Sequence, residues 1–157
     1  MMYCRHWPVA DSQQPEARHA RAISRAMCYL RPSAMANEPT IVLTSEELDP
    51  AEVRRLAQAF FRDMVKVVVD VRRGRAAVGG ELHADGEQLL LDEGSEQVDL
   101  WGANYYPGRG PEGYLEFTAM INVRPAQDNA SMEIQDPELR RLVRDVLIRV
   151  LGHGEPL

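Results

Sequence analysis

The chain has 157 residues, of which 45% are apolar and 27% charged, with 18 basic against 24 acidic side chains and a formal net charge of −6. That length suits one domain with a buried core, and the composition is that of a globular protein. No apolar run approaches the roughly 20 residues needed to span a bilayer, and residues 1–34 lack the apolar stretch of a secretory signal.

Charge is uneven along the chain. Residues 1–38 hold five Arg against Asp11, Glu16 and Glu38, about +2, leaving 13 basic and 21 acidic residues, about −8, for the rest. An acidic balance of that size argues against nucleic acid as a partner. Lys66 is the only lysine beside 17 arginines. Both cysteines, Cys4 and Cys28, fall in the N-terminal segment, so a disulfide framework or thiolate metal site in the remainder is excluded and a cytoplasmic setting is expected.

Residues 1–38 are punctuated by Pro8, Pro15 and Pro32 and carry no sustained periodicity. They read as a disordered tail, or as codons upstream of a true start near Met35. The organised sequence, 39–157, reads as a single α+β domain.

In chain order, Ile41-Val42-Leu43 is a short apolar run suited to an edge strand. Asp49-Pro50-Ala51-Glu52 is a helix start, with Asp as N-cap, Pro at the first helical position and Glu reaching back. Val53, Leu56, Ala57, Phe60, Phe61 and Met64 then recur at helical spacing. From Val65 the period drops to two. Val65, Val67, Val69 and Val71 share one face of a strand, with Lys66, Val68 and Asp70 on the other. Arg72-Arg73-Gly74 is a turn, and Arg75 to His83 returns as the second strand of a hairpin. Its glycines imply a bulge or the close approach of another group. Asp85 caps a short helix carrying Leu89, Leu90 and Leu91 and stopped at Gly94, or else Asp85-Gly86 turns into another strand; the helix is preferred. Trp101 to Tyr106 is a third strand. Tyr114 to Arg124 alternates over its whole length and is the clearest strand. Asp136-Pro137 starts a closing helix whose stripe runs from Leu139 to Leu151. The sum is a two-layer α+β fold, a mainly antiparallel sheet of about four strands with two main amphipathic helices on one face.

Such a sheet leaves its second face open and polar. That face would carry Lys66, Asp70, Glu81, His83, Asn104, Tyr106, Glu116, Thr118, Asn122 and Arg124. Glu81, His83 and Asp85 alternate, so on a strand they would point together. A carboxylate, an imidazole and a carboxylate suit zinc, manganese or iron with positions left for water; without metal, His83 and Glu81 would be a general base and its partner. The competing reading makes Asp85 a helix cap and the other two solvated surface residues. Asn104, Tyr106, Asn122 and Arg124 are candidates to grip an anionic substrate, against a reading in which Asn122, Arg124, Gln127, Asn129 and Ser131 satisfy backbone groups of an irregular connection. Trp101 and Tyr105 fall with the core.

The runs Phe61-Arg62-Asp63-Met64-Val65-Lys66, Gly79-Gly80-Glu81-Leu82-His83-Ala84-Asp85, Leu100-Trp101-Gly102-Ala103-Asn104, Ile121-Asn122-Val123-Arg124-Pro125 and Ser131-Met132 resemble a family of short bacterial and archaeal proteins catalogued only as a domain of unknown function. The resemblance covers roughly residues 41–151 and implies that 1–38 are additional. It brings no activity, cofactor or catalytic residue. The expectation for function is a ligand- or metal-binding site on the open face, with hydrolysis of an anionic substrate as one outcome. The alternative is a non-catalytic interaction or regulatory module, with a protein partner or a second copy of the chain.

Overall fold

The computed structural model describes residues 40–157; the two cysteines and the expected tail lie outside the described residues. The elements in order are β1 (Ile41–Thr44), α1 (Pro50–Phe60), β2 (Val65–Asp70), β3 (Arg75–Gly79), α2 (His83–Asp92), β4 (Leu100–Tyr105), β5 (Leu115–Glu116) and α3 (Pro137–Leu151). The five strands form one antiparallel sheet in the order β1-β3-β2-β4-β5. The α+β class is as expected, with one strand more than the four anticipated. Among the described residues, no helix is long and apolar enough to cross a membrane.

Both Asp-Pro helix starts form. The Asp49 carboxylate accepts from the Ala51 amide at 2.7 Å and Asp136 from the Glu138 amide at 2.8 Å. Each satisfies an amide that the helix itself leaves orphaned. Glu52 does not reach back to the cap; its carboxylate binds Arg55, one turn on, at 2.6 and 2.8 Å. The apolar stripes of α1 and α3, including Leu56, Val143 and Leu147, cover Val67, Val69, Ala76, Val78 and Ala103 on one face of the sheet. Burying a side chain such as Leu147 is worth about 1.5–3 kcal/mol, so this layer holds the domain together.

The other face is not open. Helix α2 lies on it, packing Leu90 with Val68, Ala77 and Leu100. Gly86 makes the approach possible, since a Cβ there would stand 3.1 Å from Val68 Cγ2. A glycine inside a helix costs about 1 kcal/mol against alanine, a cost offset here by close helix–sheet packing. The expected open polar face therefore shrinks to the end of the sheet beyond the start of α2.

Two strands are shorter than expected. β3 ends at Gly79, where φ is +107° and a Cβ would fall 2.2 Å from the Thr40 carbonyl oxygen; this is the close approach that the glycines implied. Glu81 to Asp85 thus lie across a loop and the first turn of α2, not on a strand. The ribbon expected from Tyr114 to Arg124 pairs only at Leu115–Glu116. Beyond it, Thr118 and Arg124 make single bridges to Glu133 and Asn129, with a 3-10 turn at Met120–Asn122 between them.

Candidate functional site

Lys66 on β2 and Asn104 on β4 are direct cross-strand partners. They lie where α2 no longer covers the sheet. His83, the first residue of α2, closes one side, and the segment Thr118–Ile121 closes the other. Together they border a cleft of about 460 Å³, whose walls are otherwise Phe61, Met64, Leu82, Ala84, Ala119, Met120, Ile121 and Met132. Ligand sites have this make-up, mostly apolar walls with a few polar groups from separate elements.

His83 Nε2 lies 2.9 Å from the Ala103 carbonyl oxygen. A carbonyl only accepts, so Nε2 carries the proton and the neutral ring leaves Nδ1 as its acceptor. Burial pushes the imidazole below its ordinary value. The bond to Ala103 opposes that shift, the charge of Lys66 adds to it, and the Asn104 amide opposes it more weakly. Near neutral pH, His83 is therefore uncharged. Gly102 admits the ring, because a Cβ at that position would stand 3.2 Å from His83 Cδ2 and 2.5 Å from the Ala119 Cβ.

The Asn104 amide nitrogen donates to Glu116 Oε2 at 3.2 Å and to the Thr118 carbonyl at 3.3 Å. Its Oδ1 is buried and makes no hydrogen bond of normal geometry. Tyr106 donates to the same Glu116 oxygen at 2.8 Å, so it steadies Asn104 through Glu116 and does not line the cleft. Lys66 is half-buried, with its ammonium 5.1 Å from the centre of the Phe61 ring. Among the described residues it makes no hydrogen bond or ion pair.

The remaining expected site residues lie elsewhere. The side chain of Asn122 is buried and fully engaged with backbone groups of Gly102, Phe117 and Met132. Arg124 pairs with Glu87 of α2 at 2.9 Å and donates to the carbonyls of Ile121 and Gln97. It borders a second hollow of about 490 Å³ with Glu87, Gln97 and Val123, and Met120 and Ile121 stand between this hollow and the His83 cleft. His83 and Arg124 therefore do not share a cavity. Asp85 Oδ2 accepts from the Leu82 amide at 3.2 Å, closing the start of α2. Glu81 is exposed in the loop before it.

The ligand set Glu81, His83 and Asp85 does not assemble. Among the described residues, no three His, Cys, Asp or Glu side chains are grouped to hold a metal ion. The alternation that would have aligned them exists only on a strand, and β3 stops before they begin. Sequence reasoning placed Lys66 and Thr118 on the polar face without assigning them to the site. It did not find the methionines. The available signal was a lone lysine set among valines.

The class this defines is an antiparallel sheet between helical layers, with a cleft at the uncovered end of one face. The chain belongs to the family described as "Protein of unknown function (DUF5674)", which matches residues 42–150. No curated protein and no solved structure matches the chain.

Proposed function

We propose that this domain binds a small organic ligand in the cleft between β2, β4 and the start of α2. The observation that carries the reading is the convergence of Lys66, His83, Asn104 and Thr118, from four separate segments, on one otherwise apolar hollow. Lys66 supplies a charge, His83 Nδ1 an acceptor and Thr118 a hydroxyl, while Asn104 is braced from behind by Glu116. The lining holds one imidazole and one ammonium but no carboxylate to pair with either, so binding rather than hydrolysis is the function supported best. The test is a fragment screen by amide chemical-shift perturbation on the full chain, repeated with Ala84→Phe. Ala84 is exposed on the first turn of α2 and lines the cleft, so the larger ring fills the hollow without entering the core. Fragments that shift Lys66, His83 and Asn104 in the wild type and none of them in the variant support the reading; shifts that survive the substitution sink it.

A second reading, protein docking, has its own support. Leu82 is 55% and Met120 70% exposed at the mouth of the same cleft, and apolar side chains grouped at a surface mark interaction sites. Light scattering across a concentration series tests self-association. A monomer at every concentration would count against a second copy as the partner.

A further inference from the structure

We infer that the ligand is a monoanionic carboxylate with a flexible apolar body, an assignment that rests on the cleft reading above. Lys66 is the only cationic side chain in the lining, and among the described residues no carboxylate pairs with it. It is partly buried as a residue, and its ammonium, 5.1 Å from the centre of the Phe61 ring, has no counter-ion among the described residues. A ligand carboxylate would supply the missing partner. The charge count sets the valence. His83 holds its Nε2 proton against Ala103 and carries no charge near neutral pH, and Arg124, the cation that lines the neighbouring hollow, is already matched by Glu87. One positive charge matches one negative charge, whereas a phosphate dianion is usually met by guanidinium forks or several donors.

The walls define the rest of the molecule. Met64, Met120 and Met132 surround the cleft with Leu82 and Ile121. Thioether side chains are unbranched and adaptable, so they suit a chain of variable length better than a rigid ring of fixed outline. With the carboxylate on Lys66 and the Thr118 hydroxyl, the apolar body lies against the three methionines.

Titration calorimetry of the full chain with octanoate, octan-1-ol, octylamine and inorganic phosphate tests this. Octanoate is expected to bind best of the four, with affinity rising about fourfold per methylene from hexanoate to decanoate. Lys66→Gln should weaken octanoate about tenfold and leave octan-1-ol unchanged. Because Lys66 is the only lysine, octanoate should also protect that one side-chain amine from acetylation in the wild type, read by mass spectrometry, whether or not the variant folds. Octan-1-ol or octylamine binding as tightly as octanoate, phosphate displacing octanoate, or an unprotected Lys66 would overturn the carboxylate while leaving the cleft reading in place. If none of the octyl probes binds, and the fragment screen also leaves the cleft unshifted, both readings fall.

Discussion

Asn122 and Gly102 form a reciprocal pair: the Gly102 amide donates to Asn122 Oδ1 at 2.8 Å, and Asn122 Nδ2 donates to the Gly102 carbonyl at 2.9 Å. A side-chain amide thus takes the place that a paired strand would fill beside β4. The same Nδ2 reaches the Met132 carbonyl at 3.0 Å, and the side chain is fully buried. Replacing Asn122 with Ala strands these backbone groups away from water, and each costs about 1–3 kcal/mol when left unpaired. We expect Asn122→Ala to lose about 3–5 kcal/mol in urea unfolding. A loss below about 1 kcal/mol would mean that water or a rearranged backbone serves these groups equally well.

Gly102 carries a second constraint, because it sits under both Ala119 and His83. The Cβ of Gly102→Ala would meet the Ala119 Cβ at 2.5 Å and Ile121 Cγ1 at 3.1 Å. The Ala119 atom is fixed to backbone, so it has no rotamer with which to yield. Overpacking of this kind costs about 1–3 kcal/mol. The variant should also shift the His83 ring resonances, since the imidazole borders the same space. Unchanged stability together with unchanged His83 resonances would contradict the packing described.

What the sequence made legible was local. Asp49-Pro50 and Asp136-Pro137 mark helix starts because the cap, the proline and the orphan amides lie within four residues of one another. The β2–β3 hairpin and β4 were legible because alternation reports one buried face. The same alternation misled from Phe117 onward. Phe117 and Ala119 are buried as a strand would bury them, but the ladder partner is replaced by the Asn122 amide, a long-range contact with no local signature. Asn129 shows the same limit in a milder form. Its side chain bonds the carbonyls of Asn122, Ser131 and Glu133 and accepts from the Gln135 amide, the backbone-satisfying role weighed for that connection. The second layer, α2 on the supposed open face, was hidden because three adjacent leucines give no clean stripe.

Arg124 and Glu87 form an ion pair with side chains only 10% and 13% exposed. Burial depresses the Arg124 pKa, and Glu87 opposes that shift by its charge and its hydrogen bond. The guanidinium also lies 5.1 Å from the Trp101 ring centre and donates to the Ile121 carbonyl at 2.9 Å. Arg124 therefore ties the 120–127 segment to α2 and to β4. Removing one partner of a buried pair is expected to cost about 3–5 kcal/mol, and Arg124→Met should fall in that range. Glu87→Gln should cost less, because the amide oxygen still accepts from Arg124. Equal losses in the two variants by urea unfolding would show that Arg124 contributes through the pair alone and not through its carbonyl contacts.

His83 makes the domain's stability depend on pH, and the sign follows from its burial. Its folded pKa lies below the ordinary imidazole value of 6.5 because burial disfavours the charged ring and Lys66 repels it. The unfolded chain therefore binds the proton more readily than the folded one. Above the ordinary value neither state is protonated and His83 contributes no pH dependence. As pH falls below that value the unfolded state takes up the proton first and stability drops, levelling off only below the folded pKa. Protonation would also place a second positive charge beside Lys66. Urea midpoints compared between about pH 8 and about pH 5, for wild type and His83→Gln, isolate this group from the carboxylates, which titrate mainly lower. The wild type should lose more stability than the variant over that range. Parallel curves for the two proteins would place the His83 ring in water, and with it the neutral acceptor assigned to the cleft would be lost.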